Sequence, residues 1–251
     1  MTEVISEFRT DLLQVRVFGT TVDMGQAAAA DVADALRSAL DTQDTVRMVF
    51  AAAPSQDTML AALAAAPGID WSRVIALHMD EYVGLDSAAP QRFGAYLREH
   101  LFDRVRPGRV ELISTVNDPV AEAGRYASML GDIDLVCLGI GENGHIAFND
   151  PPLADFADPE LVRVVALDER SRIQQVNDGC FAQLADVPTH AITLTIPALM
   201  SGKRLFCVVP GRRKAAAVEQ ALHGPITPAC PASVLREHPS CTLYLDAESA
   251  P

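Results

Sequence analysis

IDLVCLGIGENGHIAFNDPP, residues 133–152, is the stretch from which the rest of the chain can be read. Its first half is an apolar run with no polar alternation, which predicts a strand buried on both faces. Its second half brings Gly139, Gly141 and Gly144 together with His145, then reaches Asp150 and two prolines. Glycines let backbone N–H groups come close to a ligand, and a histidine titrates near neutrality. A polar, ionisable turn at the end of an apolar strand is where open α/β sheets place their active sites.

The three glycines also satisfy G-x-G-x-x-G, and Asp168 at the end of VRVVALD would pass for the acidic ribose ligand of a dinucleotide fold. The context argues against that reading. A dinucleotide fingerprint needs its third glycine to open a helix, whereas this chain runs on into FNDPPLADFADP, whose prolines and aspartates stop one. That Pro/Asp-rich segment, 149–160, is the one extended irregular stretch and reads as a lid or wall of a pocket.

Working outward, similar apolar runs recur at 12–18, 45–53, 73–79, 161–167, 191–196, 204–209 and 241–245. Helical patterns lie between many of them, at 24–40, 57–66, 91–102 and 119–131. Strands without polar alternation, separated by helices, predict an α/β fold: a single domain over 1–251, with an open, mostly parallel sheet covered by helices on both faces. The 251 residues, 49% of them hydrophobic, suffice for a sizeable core.

The net charge of −13 argues against nucleic acid or an anionic membrane as partner. An acidic surface suits a monomer or a homo-oligomer equally. The five cysteines show no C-x-x-C spacing, and Cys137 and Cys207 sit inside apolar runs, which fits small core residues of a reduced, cytoplasmic protein. No leader pattern begins the chain and no apolar run reaches spanning length, so a soluble protein is expected. Histidines and cysteines at metal-ligand spacing are absent, and no catalytic metal is expected.

Three further clusters carry chemistry. In HMDEYVGLD (78–86), Asp80 and Glu81 stand just past an apolar run, where one carboxylate could act as a base; equally, one could cap the next turn while the other is solvated. His78 reads either as a core histidine or as a partner of this pair. In VVPGRRKAAAVEQAL (208–222), Arg212, Arg213 and Lys214 open a helix, where cations oppose the helix dipole. A bound phosphate held by Lys214 would relieve that conflict; a solvated basic turn would explain the sequence as well. In AAAPSQDTML (51–60), Ser55 and Gln56 precede a helix whose free N–H groups could hold phosphate, or Ser55 simply caps it.

MDEYVGL together with LGIGENGHIAFNDPP resembles the signature pair of the glucosamine-6-phosphate deaminases, a superfamily shared with the 6-phosphogluconolactonases. The GRRKA turn falls where that resemblance places it. The lactonases usually continue their histidine turn as G-H-T-A-S-L-F-P, so GHIAFN favours the deaminase side. The resemblance implies a Rossmann-type sheet, no metal or organic cofactor, and a small sugar phosphate as partner, glucosamine 6-phosphate first among them. It implies that Asp80 moves a proton from C2 to C1 of the open-chain amino sugar and that His145 helps open the ring. Asn143 and Asp150 would orient that histidine, and Lys214 would bind phosphate, with Ser55, Gln56, Glu81, Gly144 and Arg172 as further candidates around the substrate.

The chain departs from the resemblance in three places. Asp150 stands where many members have glutamate, one methylene longer. Asn143 stands where some have aspartate. APSQD replaces the glycine- and threonine-rich loop L-P-T-G-G-T-P, and Arg172 is the nearest counterpart of an arginine that some members use for phosphate. Lactone hydrolysis and non-catalytic sugar-phosphate binding are the alternative readings.

Overall fold

The computed structural model describes residues 3–251. In chain order, the main sheet contains β1 (Val4–Thr10), β2 (Leu13–Phe18), β3 (Val46–Phe50), β4 (Val74–His78), β6 (Arg109–Glu111), β7 (Leu135–Leu138), β10 (Arg204–Val209) and β11 (Cys241–Asp246). β5 (Asp80–Tyr82), β8 (Val162–Ala166) and β9 (His190–Leu194) form a separate three-stranded sheet. The eight-stranded sheet runs β1-β2-β11-β10-β7-β3-β4-β6, parallel throughout except for the antiparallel β1–β2 pair at one edge.

Alternate residues of the central strands enter two different cores, which is why these strands read as unbroken apolar runs. In β7, Val136 and Leu138 join one core and Leu135 and Cys137 the other; in β10, Cys207 and Phe206 divide the same way. One core is closed by α1 (Thr21–Leu40), α2 (Asp57–Ala64) and α3 (Phe93–Leu97), which continues through a π turn into α4 (Asp103–Val105). The other is closed by α5 (Pro119–Leu130), α7 (Ile196–Met200) and α8 (Ala215–His223). Helices therefore cover both faces, as the patterning predicts. The long α1 starts at Thr20, whose hydroxyl accepts from the Asp23 N–H at 3.0 Å, a cap contributing about 1 kcal/mol.

Two of the predicted strands lie outside the parallel sheet. The runs at 161–167 and 191–196 become β8 and β9, paired antiparallel, and β9 also pairs with the short β5. An apolar run reveals burial but not its partner. The chain leaves the main sheet at Met79, whose N–H bonds Phe50 O at 3.2 Å, and enters the small sheet at Asp80. Asp80 thus sits at the seam between the sheets. The remaining helix, α6 (Glu169–Asn177), was not marked by any apolar stripe. Among the described residues no helix is long and apolar enough to cross a membrane.

Candidate active site

From β3 the chain steps outward in one direction, to β4 and then β6; from β7 it steps in the opposite direction, to β10 and then β11. β3 and β7 are neighbours, so their C-terminal ends bound the crevice at which the strand order reverses, the usual ligand position in such sheets. Turns after four parallel strands line it. Ser55 and Gln56 come from the turn after β3, Asp80 from just past β4 where β5 begins, His145 from the turn after β7 and Lys214 from the turn after β10. α6 adds Gln174 and Gln175.

The turn after β7 is folded tightly around its own histidine. The Gly141 N–H bonds His145 O at 2.8 Å, and the Gly144 N–H bonds Gly141 O at 3.0 Å. Gly144 takes φ +88°, and a Cβ at Gly141 would lie 2.2–2.4 Å from the His145 ring, so glycine is required at both. The His145 N–H is held by Asn143 Oδ1 at 3.1 Å. On the ring, Nδ1 lies 2.8 Å from Ser171 Oγ and 3.1 Å from Asp150 Oδ1. Asp150 also accepts from the Ser171 hydroxyl, from Asn143 Nδ2 at 3.1 Å and from the Asp168 N–H at 3.1 Å. Burial raises the Asp150 pKa, but the bonds from His145, Ser171 and Asn143 outweigh it and hold the carboxyl at about 2. Asp150 is therefore an anion, and the Ser171 proton is committed to it. Ser171 Oγ is left to accept, which places the His145 proton on Nδ1 and leaves Nε2 free for the crevice.

Asp80 has the opposite surroundings. Its carboxylate makes no hydrogen bond among the described residues and is only 7% exposed. Burial, then the charges of Glu81 and Asp150, push its pKa well above the usual carboxylate range. A group that must both accept and return a proton works best when its pKa is displaced toward neutrality in this way. Lys214 is likewise buried without a hydrogen bond or ion pair among the described residues. Burial draws its pKa down to about 8, against the opposing pull of Asp178 and Glu142. Its neighbour Arg213 is committed to Glu142 at 3.3 Å and Asp178 at 3.0 Å. Of the basic turn, Lys214 alone reaches the crevice.

The structure thus brings Asp80, His145, Ser55, Gln56 and Lys214 to one crevice, with Asn143 and Asp150 behind the histidine. Three other candidates lie elsewhere. Glu81 is fully buried and accepts from the N–H groups of Phe93 at 3.1 Å and Gly94 at 3.0 Å, so it caps α3. Arg172 donates to the carbonyls of Leu184 at 2.8 Å and Val187 at 2.9 Å and stabilises the following turn. Gly144 shapes the histidine turn from behind, its carbonyl accepting from the Ala232 N–H at 2.9 Å. The Pro/Asp-rich segment is no wall of this crevice; residues 149–155 instead line a second groove against β8. His78 is a core histidine, with Nε2 accepting from the Ile113 N–H at 2.8 Å and burial driving its pKa down to about 3. In the turn after β3, Gln56 Nε2 bridges Ser55 Oγ and the Val208 carbonyl, both at 3.1 Å, tying that turn to β10.

Sequence reasoning missed Ser171, Gln174 and Gln175. All are buried polar residues, and their i, i+3, i+4 spacing puts them on one face of α6. That spacing was available in DERSRIQQVND, but a stripe of polar residues is ordinarily read as a solvated face.

The chain is similar to known proteins in sequence and in fold. A glucosamine-6-phosphate deaminase of Exiguobacterium sibiricum is 39% identical over 186 residues, covering 72% of this chain and 71% of that protein. One from Bacillus cytotoxicus is 38% identical over 185 residues, 72% and 68% of the two chains. Among solved structures, a monomeric glucosamine-6-phosphate deaminase superposes with a TM-score of 0.85 at 30% identity, covering 94% of this chain and 98% of that one. A 6-phosphogluconolactonase from Shewanella baltica shares the fold, with a TM-score of 0.77 at 20% identity over 98% and 100% of the chains. With the family model matching residues 19–244, the chain belongs to the glucosamine-6-phosphate isomerase/6-phosphogluconolactonase family.

Proposed function

We propose that this protein is a glucosamine-6-phosphate deaminase, releasing ammonia and leaving fructose 6-phosphate. The observation that carries the reading is the pairing, in one crevice, of an unbonded buried carboxylate, Asp80, with a histidine whose Nδ1 is tied down and whose Nε2 is free. His145 passes a proton between O5 and O1 of the sugar and opens the ring. The aldehyde so formed acidifies the C2 proton, which Asp80 removes and returns to C1. Such positioned proton transfer contributes about 10² to 10⁴ in rate. Protonation of the enol-amine at C1 gives an iminium at C2; water adds there and supplies the new carbonyl oxygen, ammonia leaves, and a ketose remains. Lys214, an unpaired cation, holds the phosphate, with the Ser55–Gln56 turn beside it.

The five cysteines are free, which supports a reducing, cytoplasmic setting. The test is direct. Purified protein given glucosamine 6-phosphate should release ammonia and fructose 6-phosphate in equal amounts. Hydrolysis of 6-phosphogluconolactone without ammonia release from the amino sugar would assign the crevice to lactone chemistry instead.

A further inference from the structure

The carboxylate behind His145 belongs to an aspartate, and a short side chain has limited reach. Asp150 Oδ1 stands 3.1 Å from Nδ1, at the long end for a charge-assisted bond. Ser171 Oγ is nearer, at 2.8 Å, and its hydroxyl donates a hydrogen bond to the same carboxylate oxygen. Asn143 Nδ2 lies 3.4 Å from Ser171 Oγ, so the amide faces both acceptors. Ser171 is 1% exposed and lies in the first turn and a half of α6, which Asp168 caps by accepting from the Arg170 N–H at 2.9 Å.

We infer that Ser171 is a positioning residue of the reaction: its hydroxyl relays the Asp150 charge to His145 and fixes the Nδ1–H tautomer. Geometry sets its two roles. The hydroxyl donates to an anion that cannot donate back, so its oxygen must accept from the ring. When His145 takes a proton on Nε2 during ring opening, the positive charge on the ring strengthens the Nδ1–H bond to Ser171, and the Ser171 O–H bond to Asp150 strengthens with it. A side chain one methylene longer at 150 would bring a carboxylate oxygen toward the place Ser171 Oγ now occupies. The hydroxyl and the shorter carboxylate together do what one longer carboxylate would do alone.

This inference rests on the deaminase reading for its kinetic test, so a second readout is independent of turnover. Ser171→Ala should lower kcat about tenfold, the equivalent of one lost hydrogen bond, with KM within about twofold of the parent. Asp150→Glu alone, crowded by the serine hydroxyl, should also lose activity. Combined in one chain, Asp150→Glu and Ser171→Ala should recover most of the parental kcat. A double variant no faster than Ser171→Ala, or a Ser171→Ala protein with parental kcat, overturns the relay.

The spectroscopic arm uses ¹⁵N-labelled histidine. The parent should show His145 protonated at Nδ1, and Ser171→Ala should move that Nδ1–H resonance or populate the other tautomer. An unchanged His145 signal overturns the relay whether or not the protein deaminates anything. If Ser171→Ala does not fold, Ser171→Cys preserves the volume while weakening both bonds, and the same two readouts apply. If the parent releases no ammonia but its imidazole responds, the deaminase reading fails and the relay stands.

Discussion

The start of β5, just past β4, and the turn after β7 each bury an aspartate beside the same crevice, and they treat it in opposite ways. Asp150 is wrapped in donors from His145, Ser171, Asn143 and the Asp168 backbone, and its pKa falls to about 2. Asp80 receives no hydrogen bond among the described residues, and burial drives its pKa up. Two carboxyls of one kind are thereby separated into a permanent anion that orients and a titrating group that moves protons. Their stability effects have opposite signs. A depressed pKa means that Asp150 stabilises the fold above the unfolded carboxylate pKa, and that this is lost as pH falls from about 4 towards 2. A raised pKa means that Asp80 destabilises the fold increasingly as pH rises above the unfolded value, because the native state holds the proton more tightly.

The largest expected effect tests both halves at once. Asp80→Asn should cut kcat at least about 10³-fold while leaving phosphate-end binding intact. It should also raise the thermal midpoint at neutral pH, since a neutral amide avoids the cost of burying an unpaired charge. A variant that lost activity and melted earlier would mean that Asp80 is an anion held by contacts, and the contrast with Asp150 would collapse.

Asp150→Asn should reduce kcat about 10²-fold, by releasing the imidazole from the Nδ1–H tautomer. Here the melting temperature should fall. The shift from the ordinary value of 3.8 to about 2 corresponds to about 2 kcal/mol at neutral pH, and the gap between parent and variant should narrow as pH drops from 4 towards 2. Denaturant melts of both proteins across that range measure it.

The two aspartates also show what could be read from the chain alone. Asp80 and Glu81 are indistinguishable as neighbours in a sequence, yet a strand sends successive side chains to opposite faces, so only Asp80 meets the crevice while Glu81 caps α3. The central strands were legible because burial on both faces leaves an unbroken apolar run. β5 was not, because three residues reading DEY carry no such signal. β8 and β9 were visible as strands but not as a second sheet, since periodicity reports burial and not pairing. α6 was hidden for a related reason: the face it buries consists of Ser171, Gln174 and Gln175, so it lacks the apolar stripe that betrays α1 or α5.

A third position sharpens the division between orienting and binding. Lys214→Ala should raise KM about 10- to 50-fold with kcat little changed, the cost of one charge-assisted bond to a bound anion. Because burial sets the Lys214 pKa near 8, KM in the parent should climb as pH passes through about 8, and the Ala variant should lack that limb. Steady-state kinetics of both proteins between pH 6.5 and about 9.5 would isolate this loss of ammonium, because any pH limb that parent and Ala variant share belongs to another group.

The smallest effect concerns Arg213, whose guanidinium links Glu142 in the histidine turn to Asp178 and the Asn177 carbonyl at the end of α6. The link looks architectural, joining the orienting turn to the helix that carries Ser171. Its side chain is 56% exposed, however, and such surface pairs contribute about 0–1 kcal/mol. Arg213→Ala should therefore leave kcat within about twofold and shift the melting temperature by only a degree or two. Its measurable consequence lies at Lys214. Arg213 is a like charge that pushes the lysine pKa down, while Glu142 and Asp178 push it up. Removing the arginine should move the alkaline rise in KM to higher pH. A large fall in kcat instead would show that the pairs brace His145 itself, and that the rigid half of the site extends beyond the bonds around Asp150.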